Sequence, residues 1–237
     1  MAYDLDALMA RLATLADADY RRFNEKLIPG AEGASLGVRT PELRVIAREI
    51  ARGGEWRDFL EASRTCDTHE ARLLHAMVLG AARCPVAERI ALIDAFLPHV
   101  DNWAVCDALC AGLKPKRDDM AALFAFAREC ARSGEEFRKR FGLVLLMSRF
   151  AREDTLDEVM AVYRDFAHPG YYARMGAAWG LATLYLSRRE AALAILRDGV
   201  WDARTHNMAI RKLIESYRVD AADKAALRAL RRRENEA

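Results

Sequence analysis

The sequence predicts an all-α protein, a curved solenoid of helical hairpin repeats stacked as an α-α superhelix. Three observations predict it. Ala, Leu, Arg and Glu, all strong helix formers, dominate the 237 residues. No segment carries the apolar–polar alternation of a half-buried strand. Apolar residues instead recur at helical spacing, in blocks of roughly 10–17 residues separated by short breaks.

The elements follow in order. Leu5, Leu8, Met9, Leu12 and Leu15 mark one amphipathic face at the start. The stretch "LIPGAEGASLGVRTPELR" then supplies a Pro-, Gly- and Ser-containing loop that ends at a helix start. Thr40 is the expected N-cap, Pro41 fits the first turn, and Glu42 suits the positive end of the helix dipole. Helices are expected over 41–52, 55–63, 69–82, 86–97, 102–113, 117–132, 135–150, 154–166, 171–186, 189–197, 203–217 and 221–232. The breaks lie at "ARCPVAER", "FLPHVDN", "LKPKRDD" and "AHPGYY".

Pairing these helices exposes a weak repeat. Trp103, Arg140, Trp179 and Arg211 recur at intervals of 32 to 39 residues. That is near the period of HEAT and armadillo hairpins, which stack side by side with one helix of each pair on the concave side. No linker or composition shift divides the chain, so one domain over 1–237 is expected.

Composition bounds the function. Charged residues make up 30% of the chain, yet the net charge is only +2, so any basic surface must come from local arrangement. The five Cys lack a CxxC pair, which favours reduced thiols and a cytoplasmic setting over a disulfide framework. The acidic start "MAYDLDALMA" is not a signal peptide, and no run approaches the roughly 18 apolar residues of a membrane span.

Three helices carry unusual residues. In "DNWAVCDALC", Val105, Ala108, Leu109, Gly112 and Leu113 form the expected core stripe. Trp103, Asp107, Cys110 and Lys114 fall on a different stripe. Either Trp103 packs on a neighbouring hairpin and Asp107 pairs with Lys114 or another base, or both face a ligand. In "FRKRFGLVLLMSRF", Arg138, Lys139 and Arg140 cluster where the helix dipole gives cations nothing. They either face an anion or form a solvated turn balanced by Glu135 and Glu136. In "GYYARMGAAWGL", Gly176 and Gly180 bracket Trp179 and could admit either a ligand or a neighbouring helix.

These segments, with "LGVRTPELR" at 36–44, resemble the AlkD-like DNA alkylation-repair proteins, a family of HEAT-like DNA glycosylases. The resemblance runs from about Tyr20 to Tyr217. Trp103 and Asp107 fit the family's central tryptophan–aspartate motif. Arg140 corresponds to its groove arginine, Trp179 to its second groove tryptophan, and Phe23 (or Tyr20) to a further N-terminal aromatic. The loop at 29–35 is longer than in the best-known members.

The resemblance implies a DNA repair glycosylase that binds double-stranded DNA with alkylated bases in a concave basic groove. Its substrates would be cationic N3- and N7-alkylated purines, already good leaving groups. A carboxylate, here Asp107, would stabilise the oxocarbenium-like charge that develops on the sugar, and could orient water. Trp103 and Trp179 would pack on the sugar–phosphate backbone, and Arg140 would hold a phosphate. Arg39, Arg44, Arg72, Lys114, Arg138, Lys139, Arg174, Arg211 and Lys212 are candidate DNA-binding cations. No cofactor, metal, membrane or obligate protein partner is implied.

Other chemistries lack support. His69 and His75 are six apart rather than four, "PGAEGASLG" lacks a Walker ending, and Cys106 and Cys110 have no partner ligands in sequence. Two alternatives stay open: a non-enzymatic module binding branched or damaged DNA, and a protein–protein scaffold.

Overall fold

A computed structural model describes residues 3–28 and 35–234. The loop at 29–34 lies outside the described residues. Among the described residues there are fourteen α-helices and no strands. They are α1 (Leu5–Thr14), α2 (Ala18–Leu27), α3 (Thr40–Arg52), α4 (Trp56–Ser63), α5 (His69–Ala81), α6 (Val86–Phe96), α7 (Trp103–Gly112), α8 (Met120–Arg132), α9 (Glu136–Leu145), α10 (Leu156–Arg164), α11 (Tyr171–Leu184), α12 (Arg189–Asp198), α13 (Ala203–Glu215) and α14 (Ala221–Ala229). The chain divides into two compact units, one ending at Leu123 and the other starting at Phe124, inside α8.

In the first unit α5 packs between α3 and α7, while α4 and α6 flank it. The α5 and α7 backbones come close at Gly80 and Gly112, where a Cβ on Gly80 would sit 2.8 Å from the Gly112 Cα. Two buried polar groups are absorbed here by hydrogen bonds and stacking. His75 lies on the Phe96 ring at 3.9 Å between centroids, and its Nδ1 is 2.9 Å from the Ser63 hydroxyl. Glu70, fully buried, accepts from the Ser35 hydroxyl and from the backbone N–H groups of Leu36, Gly37 and Val38. It thereby satisfies the donors of the segment entering α3, which turns at Gly37 with φ +85°.

The second unit repeats the arrangement: α11 packs between α9 and α13, and α10 and α12 pack together. Glu136, at the start of α9, accepts from the N–H groups of Tyr172 (2.5 Å) and Ala173 (3.3 Å) and so caps α11. The fully buried Tyr163 donates to the Leu143 carbonyl at 2.9 Å and lies against Gly180, where any Cβ would overlap its ring. Gly180 is therefore explained by a neighbouring helix. Alternate helices packed in layers make each unit a set of stacked helical hairpins.

Several expected boundaries shift. Thr40 is already helical and Arg39 occupies the cap position without a side-chain hydrogen bond. The expected 135–150 helix is α9 followed by a π-helical turn, Leu146–Phe150. Residues Arg117–Asp119 form a 3-10 turn ahead of α8. Helix α2 has no expected span: Tyr20, Phe23 and Leu27 recur at helical spacing, but they are few among charged residues and none is buried. It is started by Asp17, whose side chain accepts from the N–H groups of Asp19 and Tyr20.

Candidate functional site

In the first unit the site is built on α7. Asn102 caps it, accepting from Ala104 N at 3.0 Å and Val105 N at 3.1 Å. Asn102 is itself held by Asp101 at 2.7 Å and lies 3.5 Å from the His69 Nδ1. Burial pushes the His69 imidazole below its usual value, against the opposing pull of Glu70 and Asp101. Asp101 also pairs with Arg72, which reaches Asp67 at 2.6 Å. Arg72, expected to meet a phosphate, is thus half-buried and engaged by two carboxylates, Asp67 ahead of α5 and Asp101 ahead of α7.

The faces of α7 differ in part from the expected stripes. Val105, Cys106, Leu109, Cys110 and Leu113 are buried. Trp103, Ala104, Asp107 and Ala108 are half-exposed, and Ala111 is exposed. Cys110 therefore belongs to the core, whereas Ala108 joins the open side. A helix advances about 100° per residue, and the core here claims a wider arc than one stripe. Trp103 and Asp107, one turn apart, do share the open face.

Helix α2 meets this face from the N-terminal side. The Trp103 indole N–H donates to the Leu27 carbonyl at 3.0 Å. Phe23 is 59% exposed, with its ring 6.4 Å from that of Tyr20. Arg39 lies over the Tyr20 ring at 5.2 Å and forks onto Asp17 at 2.7 and 3.1 Å.

Past Asp107, the open face of α7 runs into a cleft of about 820 Å³ lined by α3, α5, α7 and the segments after α5 and α7. Arg44 and Lys114, both expected, line it, and both are exposed. The structure adds Arg48, Arg83 and Lys116, which the sequence reading missed. Arg48 was legible as the residue one turn after Arg44. Arg83 and Lys116 lie outside helices, where no periodicity points to a shared face.

In the second unit the basic cluster at the start of α9 does not face one anion, nor is it a solvated turn. Arg138 pairs with Glu129 at 3.0 Å and lies over the Phe126 ring. Lys139 is buried with its Nζ 5.7 Å from the Phe166 ring, and burial pushes its ammonium below the usual lysine value. Arg140 is 3% exposed and donates to the Tyr172 carbonyl at 3.0 Å. Consecutive helical residues diverge by about 100°, so three cations in a row point three ways. Gly176 gives Arg140 room to lie across α11, with a Cβ there meeting the Arg140 Cγ at 3.3 Å.

Trp179, one turn further along α11, is 38% exposed. Arg174 is half-buried, donating to the His168 carbonyl at 3.1 Å and lying 3.5 Å from Asp202. Lys212 pairs with Glu215 at 3.2 Å, whereas Arg211 is exposed. The structure thus brings Trp103 and Asp107 together in one unit, and Arg140 and Trp179 onto adjacent helices of the other.

Among the described residues no cluster of His, Cys, Asp or Glu could hold a metal ion, and no helix is long and apolar enough to cross a membrane. The fold and its open tryptophan–aspartate face define an all-α helical-hairpin protein. The family model "DNA alkylation repair enzyme" matches residues 8–217, and the chain belongs to that family. Its role is in DNA repair, with DNA as partner. No curated protein and no solved structure matches the chain significantly.

Proposed function

We propose that the protein is a DNA glycosylase that hydrolyses the N-glycosidic bond of cationic N3- or N7-alkylated purines in duplex DNA. One observation carries the reading: in a chain of the alkylation-repair family, Trp103 and Asp107 share the open face of α7 and adjoin a cleft rich in cations.

The chemistry follows from charge. An alkylated purine is already cationic and leaves as a neutral base. Bond breaking moves positive charge onto the deoxyribose. A carboxylate beside that sugar lowers the energy of the transition state more than that of the ground state. Asp107 is assigned this role, and orienting the attacking water is within its reach as an acceptor. Trp103 packs on the sugar–phosphate backbone, its indole N–H tied to Leu27 so that the ring plane is fixed. Phosphates are contacted by exposed cations, Arg44 and Lys114 in the first unit and Arg211 in the second, without base readout. Trp179 offers DNA an aromatic face on α11. Arg140, buried against the Tyr172 carbonyl, acts by holding α11 in place.

The test is base release from methylated duplex DNA by wild type and Asp107→Asn. The variant keeps the side-chain shape and removes the charge. Release is expected to fall at least 100-fold, about 2.7 kcal/mol of lost transition-state stabilisation, while DNA binding persists. Equal release by both proteins would remove Asp107 from the mechanism. DNA binding without release by wild type would establish a non-enzymatic binding module instead.

A further inference from the structure

The far end of the second unit grips a short peptide by its backbone. Residues 230–234 follow α14 and lie against α13. The Asn207 side chain pairs with Arg232 twice. Its Oδ1 accepts from the Arg232 backbone N–H at 3.0 Å, and its Nδ2 donates to the Arg232 carbonyl at 2.8 Å. Nδ2 also donates to the Glu234 carboxylate at 2.9 Å. A side-chain amide used this way stands in for the backbone of a neighbouring strand. Beside it, the His206 Nε2 lies 2.7 Å from the Leu230 carbonyl. A carbonyl only accepts, so Nε2 carries the proton. The buried Nδ1 is left with no hydrogen-bond partner among the described residues.

One side chain of the segment is read as well. The Arg232 guanidinium donates to the Leu196 carbonyl, in the last turn of α12, at 3.0 Å, and to the Trp201 carbonyl, ahead of α13, at 3.1 Å. The last carbonyls of a helix lack partners of their own and attract a cation. Gly199 makes the room: its φ is +72°, and a Cβ there would meet the Arg232 Nη2 at 2.8 Å.

The hold is polar. Between Ala221 and Glu234, Leu227 is the one buried residue, while Arg231, Arg233 and Glu234 are exposed. Helix α14 keeps its own tie to the unit through Asp223, which accepts from Tyr185 and Arg189. A segment that buries so little apolar surface opens locally at low free energy. On leaving, it uncovers two carbonyls, the His206 N–H and the Asn207 amide, all already set in place on α12, α13 and the turn between them.

We propose that the corner between α12 and α13 is a peptide-binding site for an Arg-x-Glu segment, taken by its backbone and its guanidinium, and that residues 230–234 are its resident, exchangeable ligand. A second peptide of the same chemistry competes for the corner and lifts the chain's own segment away. The site does not depend on the glycosylase reading and survives its failure.

The probe is a fluorescein-labelled peptide with the sequence of residues 229–234, blocked at both ends and added to full-length protein at about 150 mM salt. Wild type carries its own ligand, and the apparent affinity for a competitor falls with the fraction of sites left vacant. Full-length Arg232→Ala loosens that ligand and should bind the probe at least roughly 10-fold more tightly than wild type. Arg231→Ala loses the same charge from an exposed position and should bind it as wild type does. A scrambled probe, or one with Ala in the place of Arg232, should bind Arg232→Ala at least roughly 10-fold more weakly. Adding Asn207→Ala to Arg232→Ala should remove probe binding.

Hydrogen exchange in wild type decides the matter even if Arg232→Ala does not fold. The Arg232 amide, held by Asn207, should exchange more slowly than that of Arg233, and excess probe should speed it. No gain in probe affinity for folded Arg232→Ala would overturn the proposal. So would an equal gain for Arg231→Ala, equal binding of the scrambled probe, or an Arg232 amide whose exchange the probe leaves unchanged.

Discussion

Replacing Gly80 with Ala tests the packing that sets the open face of α7. The added Cβ would lie 2.8 Å from the Gly112 Cα, 3.0 Å from its carbonyl carbon and 3.4 Å from the Leu109 oxygen. Carbon atoms rest at about 3.5–4.0 Å, so the helices must separate by roughly 0.7–1 Å. The neighbours are backbone atoms, which cannot rotate away. Overpacking of this kind costs about 1–3 kcal/mol, and the gain in helix propensity from Gly to Ala returns about 1 kcal/mol. Because the neighbours are backbone, the upper part of that range applies, about 2–3 kcal/mol, and a net loss of about 1–2 kcal/mol is expected, which lowers Tm by roughly 2–8 °C for a chain of this size. Gly112→Ala should behave alike, and the double variant should cost less than the sum because the helices have already parted. Gly134→Ala, with no neighbour within 4 Å of its Cβ, is the control. Thermal unfolding reads all four. An unchanged or raised Tm for Gly80→Ala would refute the close backbone approach and the placement of Asp107 that depends on it.

Two further predictions concern pH. Burial pushes His75 down to about 3, against an ordinary value near 6.5. Above 6.5 both folded and unfolded chains hold it neutral; as pH falls from there towards 3 only the unfolded chain takes up the proton, so stability should decline across that window. Urea titrations should show a shallower decline for His75→Leu, and equal pH slopes would exclude a neutral buried imidazole. Asp223 is held down at about 2 by Arg189 and by the Tyr185 hydroxyl, and these contacts tie α14 to the α11–α12 region. This contribution is present above about 3.9, the ordinary carboxylate value, and is lost as pH falls through about 2. Hydrogen exchange in α14 should accelerate over that range in wild type, and Asp223→Asn should be fast already at neutral pH.

Helices were legible wherever an apolar stripe faced a core. The spans that became α3, α5, α7, α11 and α13 follow from such stripes and from Pro, Gly and Asn at their ends. Helix α2 was missed because its apolar stripe, Tyr20, Phe23 and Leu27, is sparse among charged residues and packs into no core. The π-helical turn after α9 was not legible either: a continuous apolar run looks the same whether the backbone bonds at i+4 or i+5. That Trp103 and Asp107 lie off the leucine stripe was readable; that their face is open was not, since Cys110, expected on the same stripe, is buried. The fate of the cations was not. Arg72, Lys139, Arg140 and Arg174 look like Arg44 and Lys114 in sequence, yet the first four are drawn into the protein by partners 28 to 32 positions away or by surrounding helices.

The sequence by itself determined the all-α class, the hairpin repeat and the α7 motif, because helical propensity, capping and period-3.6 patterning act over a few neighbouring residues. Tertiary structure alone decided which cations remain available, that Gly180 makes room for Tyr163 rather than a ligand, and that Arg48, Arg83 and Lys116 meet Arg44 and Lys114 in one cleft. Those outcomes depend on contacts between residues remote in the chain, and local pattern carries no information about which distant carboxylate or carbonyl will reach a given side chain first.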